Sequence, residues 1–178
     1  MKTYSHLRAR NKNEGFTLIE FIVVVALAAI VVGALAWSIN KAFGSNDTKD
    51  EAAAVTKVMA AIPDLRGVNG YGTAATNLVP QLIAQNEIPS TWQVIAGVPK
   101  NSWGGNVTVV SQVSYVDIAS AGISQEACNK LATKLSRGNG FKQTKINAAA
   151  AIVGEVTSAA AAAACVAGTN TITWSTQS

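Results

Sequence analysis

The sequence predicts an α+β protein, with one long N-terminal helix followed by a smaller head of strands and short helices. Three observations carry this expectation. The first proline is Pro63, so no residue forbids a continuous helix from about Thr17 to about Leu65. Residues 107–113 form a β-branched run, and the tail over residues 169–176 alternates around Ile172 and Trp174. Residues 123–138 carry apolar side chains at helical spacing. At 178 residues the chain has room for one domain with an extension, and none for a multidomain enzyme. Hydrophobic residues make up 49% and charged residues 13%, with a mean hydropathy of +0.24, a balance opposite to that of a disordered chain.

The net charge of +4 is concentrated at one end. Lys2, Arg8, Arg10 and Lys12, against Glu14 alone, precede a remainder with ten basic and nine acidic side chains. The basic patch is therefore an N-terminal tag, and no nucleic-acid partner is expected from it. His6 is the single histidine, and Cys128 and Cys165 are the two cysteines. A zinc site, a Ser-His-Asp triad or a Cys-His pair needs more than this, so no metal and no catalytic residue is expected. From Asp64 onward the head offers only scattered carboxylates, Asp64, Glu87, Asp117, Glu126 and Glu155, and the chain reads as a non-enzyme without a cofactor.

Residues 16–37 contain one charge, Glu20, and residues 21–37 contain none. Such a stretch, at about 1.5 Å per residue, crosses a hydrocarbon core about 30 Å thick. Basic residues before it keep the N-terminus cytoplasmic and send the rest across. An ordinary cleaved signal peptide is the alternative, but the run is longer than a usual apolar region. Ala34-Leu35-Ala36 is moreover followed by Trp37 and a continuing helical pattern. Glu20 is the anomaly, because a carboxylate inside a span costs roughly 2.5–3.5 kcal/mol and needs a partner. A cut after Gly15 would free the amine of Phe16 one turn before Glu20, and positions i and i+4 share a helix face. The carboxylate could equally reach the terminal amine of a neighbouring chain.

The string Gly15-Phe16-Thr17-Leu18-Ile19-Glu20, followed by the apolar run, resembles the class III signal of type IV pilins. The resemblance implies cleavage between Gly15 and Phe16 by a membrane prepilin peptidase, N-methylation of Phe16, and pairing of Glu20 with a neighbouring subunit's N-terminus during assembly. It also implies the type IV pilin fold. There the long helix, its hydrophobic half protruding, packs on an antiparallel sheet head with a disulfide-closed C-terminal region. The domains expected are a removed leader over 1–15, a hydrophobic transmembrane and assembly helix over 16–44, and a head over 45–178 that includes the amphipathic half of the helix.

In that second half Ala52, Val55, Met59 and Ile62 form a stripe suited to packing on a head. The whole helix would be roughly 73 Å long, too long to bury in one small domain. Gly33 and the Gly44-Ser45-Asn46-Asp47 cluster are its weak points. Helix there either loosens when the subunit leaves lipid for a fibre, or the glycine admits a close helix approach. Residues 67–72, Gly-Val-Asn-Gly-Tyr-Gly, read as a loop, since no Lys-Ser/Thr follows to make a phosphate site. Residues 78–86 predict a short helix, and Pro89 and Pro99 bracket a connecting segment. Trp103, before two glycines, reads as a packed turn ahead of the 107–113 strand and a second strand over 114–118. Ser124 is placed to cap the 123–138 helix, with Ile123 and Cys128 as a staple pair and Cys128, Leu131, Ala132 and Leu135 as its buried stripe. The alanine tracts at 148–151 and 159–164 predict short buried helices.

Two cysteines in a segment expected to be exported predict a structural disulfide, Cys128–Cys165, since C-x-x-C spacing is absent and a zinc site would lack ligands. The strand-then-helix phrase from Tyr115-Val-Asp-Ile118 to Cys128-Asn-Lys-Leu131 resembles the entry to the disulfide region of type IVb pilins, in particular the group of conjugative thin pili and enterobacterial pili. Phe16 as first mature residue is instead a type IVa habit, while the fifteen-residue leader falls between the two classes. The resemblance implies a major pilin of a type IVb pilus, polymerised into fibres for adhesion, aggregation or conjugative mating contact. A pseudopilin of a type II secretion system and a minor pilin are the alternatives. The partners implied are further copies in a helical filament, the prepilin peptidase, the assembly platform of the inner membrane, and that membrane before assembly. The fibre would end outside a Gram-negative cell.

Overall fold

The computed structural model describes residues 18–138 and 140–177, except for the side chains of Glu20 and of residues 30–45. Helix α1 runs over Leu18–Ala61, through Gly33 and Gly44, and continues as a 3₁₀ turn over Ile62–Leu65 that Pro63 opens. The chain divides into two compact units, one ending at Lys41 and the other running from Ala42 to Ser178.

The second unit contains α2 (Val79–Ala84), the hairpin β1 (Gln93–Ile95) and β2 (Val98–Lys100), then β3 (Val107–Ser111) and β4 (Val116–Ser124). Helix α3 (Gln125–Ser136) follows, then β5 (Phe141–Ile146), β6 (Ile152–Val153), α4 (Ser158–Ala164) and β7 (Thr169–Thr176). Five strands form one antiparallel sheet in the order β3-β4-β7-β5-β6. The chain is therefore α+β, as its composition pattern predicts. Strand alternation sends Val107, Val109, Val116, Ile118, Ile172 and Trp174 to one face, where all six are buried. On that face the C-terminal part of α1 and helix α3 close a single core.

Several expectations need correction. The expected stripe is buried at Ala52, Val55 and, in the turn after α1, Ile62, but Met59 is only half-buried at its edge, and the fully buried line runs through Glu51, Val55, Val58 and Ile62. The spacing i, i+4, i+7, i+11 is helical, but a carboxylate occupies its first position, and apolar counting passes over it. The second strand is longer than residues 114–118. β4 extends to Ser124, so Ile123 ends a strand and α3 starts at Gln125, with Ser124 Oγ accepting from Ala127 N at 3.4 Å. The connecting segment between Pro89 and Pro99 contains the β1–β2 hairpin, turning through Ala96 and Gly97 at positive φ. Of the two alanine tracts, 159–164 lies in α4, of which only Ala161 is buried, whereas 148–151 is an exposed turn and bend. Asn147 breaks the chain there at φ 52, and its side chain is engaged elsewhere. Strand β5 was not anticipated, because a bulge between Phe141 and Gln143 buries Phe141, Thr144 and Ile146 out of simple alternation.

Gly105 is dictated by packing. A Cβ there would lie 1.8 Å from the Ala121 carbonyl oxygen, at the irregular stretch of β4 between Ser120 and Ile123.

Candidate functional site

The described start of α1 is apolar on every side. Leu18, Ile19, Phe21, Ile22, Val23, Val24, Val25 and Leu27 are all at least half exposed, with Leu18 at 78% and Phe21 at 66%. Successive helical residues lie about 100° apart, so residues 21–25 alone circle the axis. A helix apolar all round is stable only under a cover of lipid or protein. Gly15 and Phe16 lie outside the described residues. Glu20 and Gly33 fall within α1, but Glu20's side chain and Gly33's surroundings lie outside them as well. Among the described residues no helix is long and apolar enough to cross a membrane.

The second feature is the disulfide between Cys128 in α3 and Cys165 at the end of α4, with S–S 1.98 Å and Cα–Cα 6.0 Å. Both cysteines are buried. The bond encloses the rest of α3, β5, β6 and α4. Two asparagines that sequence reasoning passed over hold the return from α4 to β7. Asn147 Nδ2 donates to the Ala164 carbonyl at 3.0 Å and to Asn170 Oδ1 at 2.8 Å, while Asn147 Oδ1 accepts from Thr171 N at 2.9 Å. Asn170 Oδ1 also accepts from Val166 N at 2.8 Å, and Asn170 Nδ2 donates to Ile123 O at 3.2 Å. Gln125 Nε2 donates to Cys165 O at 3.0 Å, and Ser136 Oγ accepts from Val156 N at 2.9 Å. From Asn147 to Gln177 the sole charged residue is Glu155, which pairs with Arg137 at 3.0 Å on the surface. The stretch from Asn147 to Gln177 thus presents a nearly uncharged, alanine-rich surface with Val153 and Val166 exposed, whereas Lys130, Lys134, Arg137, Lys142 and Lys145 lie in the rest of the enclosed region.

Cys128→Ser is expected to cost about 4 kcal/mol, because the bond closes a 37-residue separation and its removal releases that entropy in the unfolded chain. A thermal melt of the isolated head, with protease resistance beside it, reads the effect; an unchanged melting temperature would contradict it.

The third feature joins α1 to the sheet. Glu51 is fully buried. Trp92 Nε1 donates to Glu51 Oε2 at 2.8 Å, and Ser120 Oγ donates to Glu51 Oε1 at 2.7 Å. Ser120 Oγ in turn accepts from Asn101 Nδ2 at 2.8 Å. Asn101 Oδ1 takes the backbone N–H of Trp103 at 3.0 Å and of Gly105 at 2.8 Å, fixing the turn before β3. Burial raises the Glu51 pKa above the ordinary carboxylate value, and the Ser120 and Trp92 hydrogen bonds oppose that rise only in part. No local signal exposes this site, since its partners lie 41 and 69 residues away along the chain.

Comparison with known proteins adds to this geometry. Residues 45–177 match the family model described as PilS N terminal. Residues 10–36 match the model of the prokaryotic N-terminal methylation motif. Among solved structures, the crystal structure of a type IV b pilin from Salmonella typhi aligns with a TM-score of 0.57 at 23% identity. The alignment covers 73% of this chain and 97% of that one, a likeness of fold. No curated protein sequence matches the chain.

Proposed function

The chain belongs to the PilS N-terminal family and is a type IV pilin, a pilus subunit rather than an enzyme by family and fold, and on that premise we propose that it is the major subunit of a type IVb pilus. The observation that carries this reading is the start of α1, bare apolar surface around the axis within the stretch that matches the methylation motif. Lipid covers that surface in the precursor, and sister helices cover it in the fibre.

In this reading residues 1–15 are the leader, residues 16–44 the membrane and assembly helix, and residues 45–178 the head. The prepilin peptidase cuts between Gly15 and Phe16, and the new terminus becomes N-methyl-Phe16. Glu20 pairs with the amine of a neighbouring copy, and Gly33 lets the helices approach. The inner membrane of a Gram-negative cell holds the precursor, its assembly platform adds subunits, and the fibre makes adhesive, aggregative or mating contacts through the surface of the disulfide region. The Cys128–Cys165 bond supports a pilin over a secretion pseudopilin, since pseudopilins commonly lack a large disulfide loop.

The test is the intact mass and N-terminal residue of material sheared from the cell surface. Abundant fibres of a chain beginning at N-methyl-Phe16 are expected. A trace component in fibres of another subunit would make it a minor pilin. A terminus at Met1, or beyond Trp37, would overturn the filament reading.

A further inference from the structure

In the head, α1, α3 and the start of β5 border a groove of about 640 Å³ with Ala53, Met59, Leu135 and Phe141 in its walls. Lys49, Lys57 and Lys134 rim it, and none of its lining residues is acidic. Lys57 leans on Glu87 at 3.7 Å, but Lys49 and Lys134 make no ion pair among the described residues. Three ammonium groups around an apolar floor suit a partner that is both acidic and apolar.

The same chain presents such a group past the far end of α1. Asp64 is exposed and makes no hydrogen bond or ion pair among the described residues, and Val68 beyond it is bare. The loop that carries Val68 is pinned at its base. Gly67 N donates to Gly70 O at 2.8 Å, Gly70 N to Gly67 O at 3.2 Å, and Tyr71 N to Val113 O at 2.9 Å. The Arg66 guanidinium lies 5.8 Å from the centre of the Tyr71 ring. Gly70 sits at φ +93, and a Cβ there would fall 2.2 Å from Val113 O, so only glycine permits this closure. A tip ordered before contact loses little freedom on binding.

We propose that the Asp64–Val68 loop of one copy docks in the lysine-rimmed groove of the next, with the Asp64 carboxylate among Lys49, Lys57 and Lys134 and Val68 on the apolar floor. The inference rests on the pilus-subunit reading and names a contact between heads within it. Other carboxylates of the head are engaged or ill placed. Glu87, Glu126 and Glu155 have lysine or arginine partners, and Asp117 is hydrogen-bonded to Ser175 and Gln112. Asp47 and Asp50 lie within two residues of Lys49 on the groove's own helix. The loop and the groove are different patches of one chain, so their contact is heterologous. In a head-to-tail array each added copy leaves one loop and one groove open, which propagates a helix wherever the rotation does not close a ring.

Charge exchange tests this in piliated cells. Asp64→Lys alone, and the groove pair Lys49→Glu with Lys134→Glu alone, should each lower the yield of sheared fibres about tenfold. All three together should restore it to within about twofold of wild type, as two coupled sites require. As a second measurement, Asp64→Cys with Lys134→Cys should give a ladder of oxidised multimers in any fibres that form. Wild-type fibres with no rescue and no ladder would overturn the docking. Absence of any wild-type fibre would instead defeat the reading on which it rests.

Discussion

Glu20→Ala is expected to leave cleavage after Gly15 intact and to cut the yield of sheared fibres about a hundredfold. The size follows from where the carboxylate sits before and after assembly. In the bilayer an unpaired Glu20 costs roughly 2.5–3.5 kcal/mol, a strain that the proposed pairing with a terminal amine would relieve. Alanine removes both the discomfort in lipid and the partner in the fibre, so both changes favour staying in the membrane. About 3 kcal/mol lost per added subunit corresponds to roughly a hundredfold in its affinity for the growing end. Glu20→Gln, which keeps the shape and loses the charge, should fail in the same way. The measurement is paired: processed subunit in membranes by intact mass, and fibres in the sheared fraction by yield. Normal fibres from Glu20→Ala would remove the pairing role, and accumulation of uncut chain would move Glu20 to the processing step.

Features that local chemistry determines were legible in the sequence. The distance to Pro63 set the reach of α1, and Ser124 marked the start of α3, with Cys128, Leu131, Ala132 and Leu135 buried as their spacing implies. The two cysteines could be paired on compartment and count. Other features depend on partners far away in the chain. Strand β5 hides because its bulge places Thr144, a polar residue, where alternation would want an apolar one. β1 and β2 are three residues each, Pro99 lies inside β2, and the turn between them is Ala-Gly where Asn-Gly would have signalled a hairpin. Alanine at 148–151 has helix propensity without a face to bury, and the chain turns there because Asn147 is tied to Asn170 and Thr171. Residues 10–36 were legible for a different reason, since the methylation motif they match is a short, local string.

Glu51 is the clearest instance of what stayed hidden, and its expected stability effect in the head is as large as that of the disulfide. Glu51→Ala strands the Trp92 N–H, which a rigid ring cannot redirect, and the Ser120 hydroxyl, and opens a void between α1 and β4. Two orphaned donors and a cavity together should cost about 3–5 kcal/mol. Glu51→Gln should cost about 1 kcal/mol, because the amide oxygen still accepts from Trp92. Its NH₂ then faces Ser120 Oγ, which already accepts from Asn101, so only the hydroxyl proton loses its acceptor. The two substitutions also separate charge from shape. With its pKa raised in the folded state, Glu51 binds a proton more tightly there than in the unfolded chain. Stability from this group is therefore fully present below the ordinary carboxylate value and falls as pH rises towards the raised one. None of its hydrogen-bond partners, Trp92, Ser120 and behind them Asn101, titrates in this range, so the dependence belongs to Glu51. Melting the head across that interval should show the wild type gaining on Glu51→Gln as the solution becomes more acidic. Parallel curves would mean that the carboxylate is ionised in the core at all these pH values, held by Trp92 and Ser120 against the cost of burial.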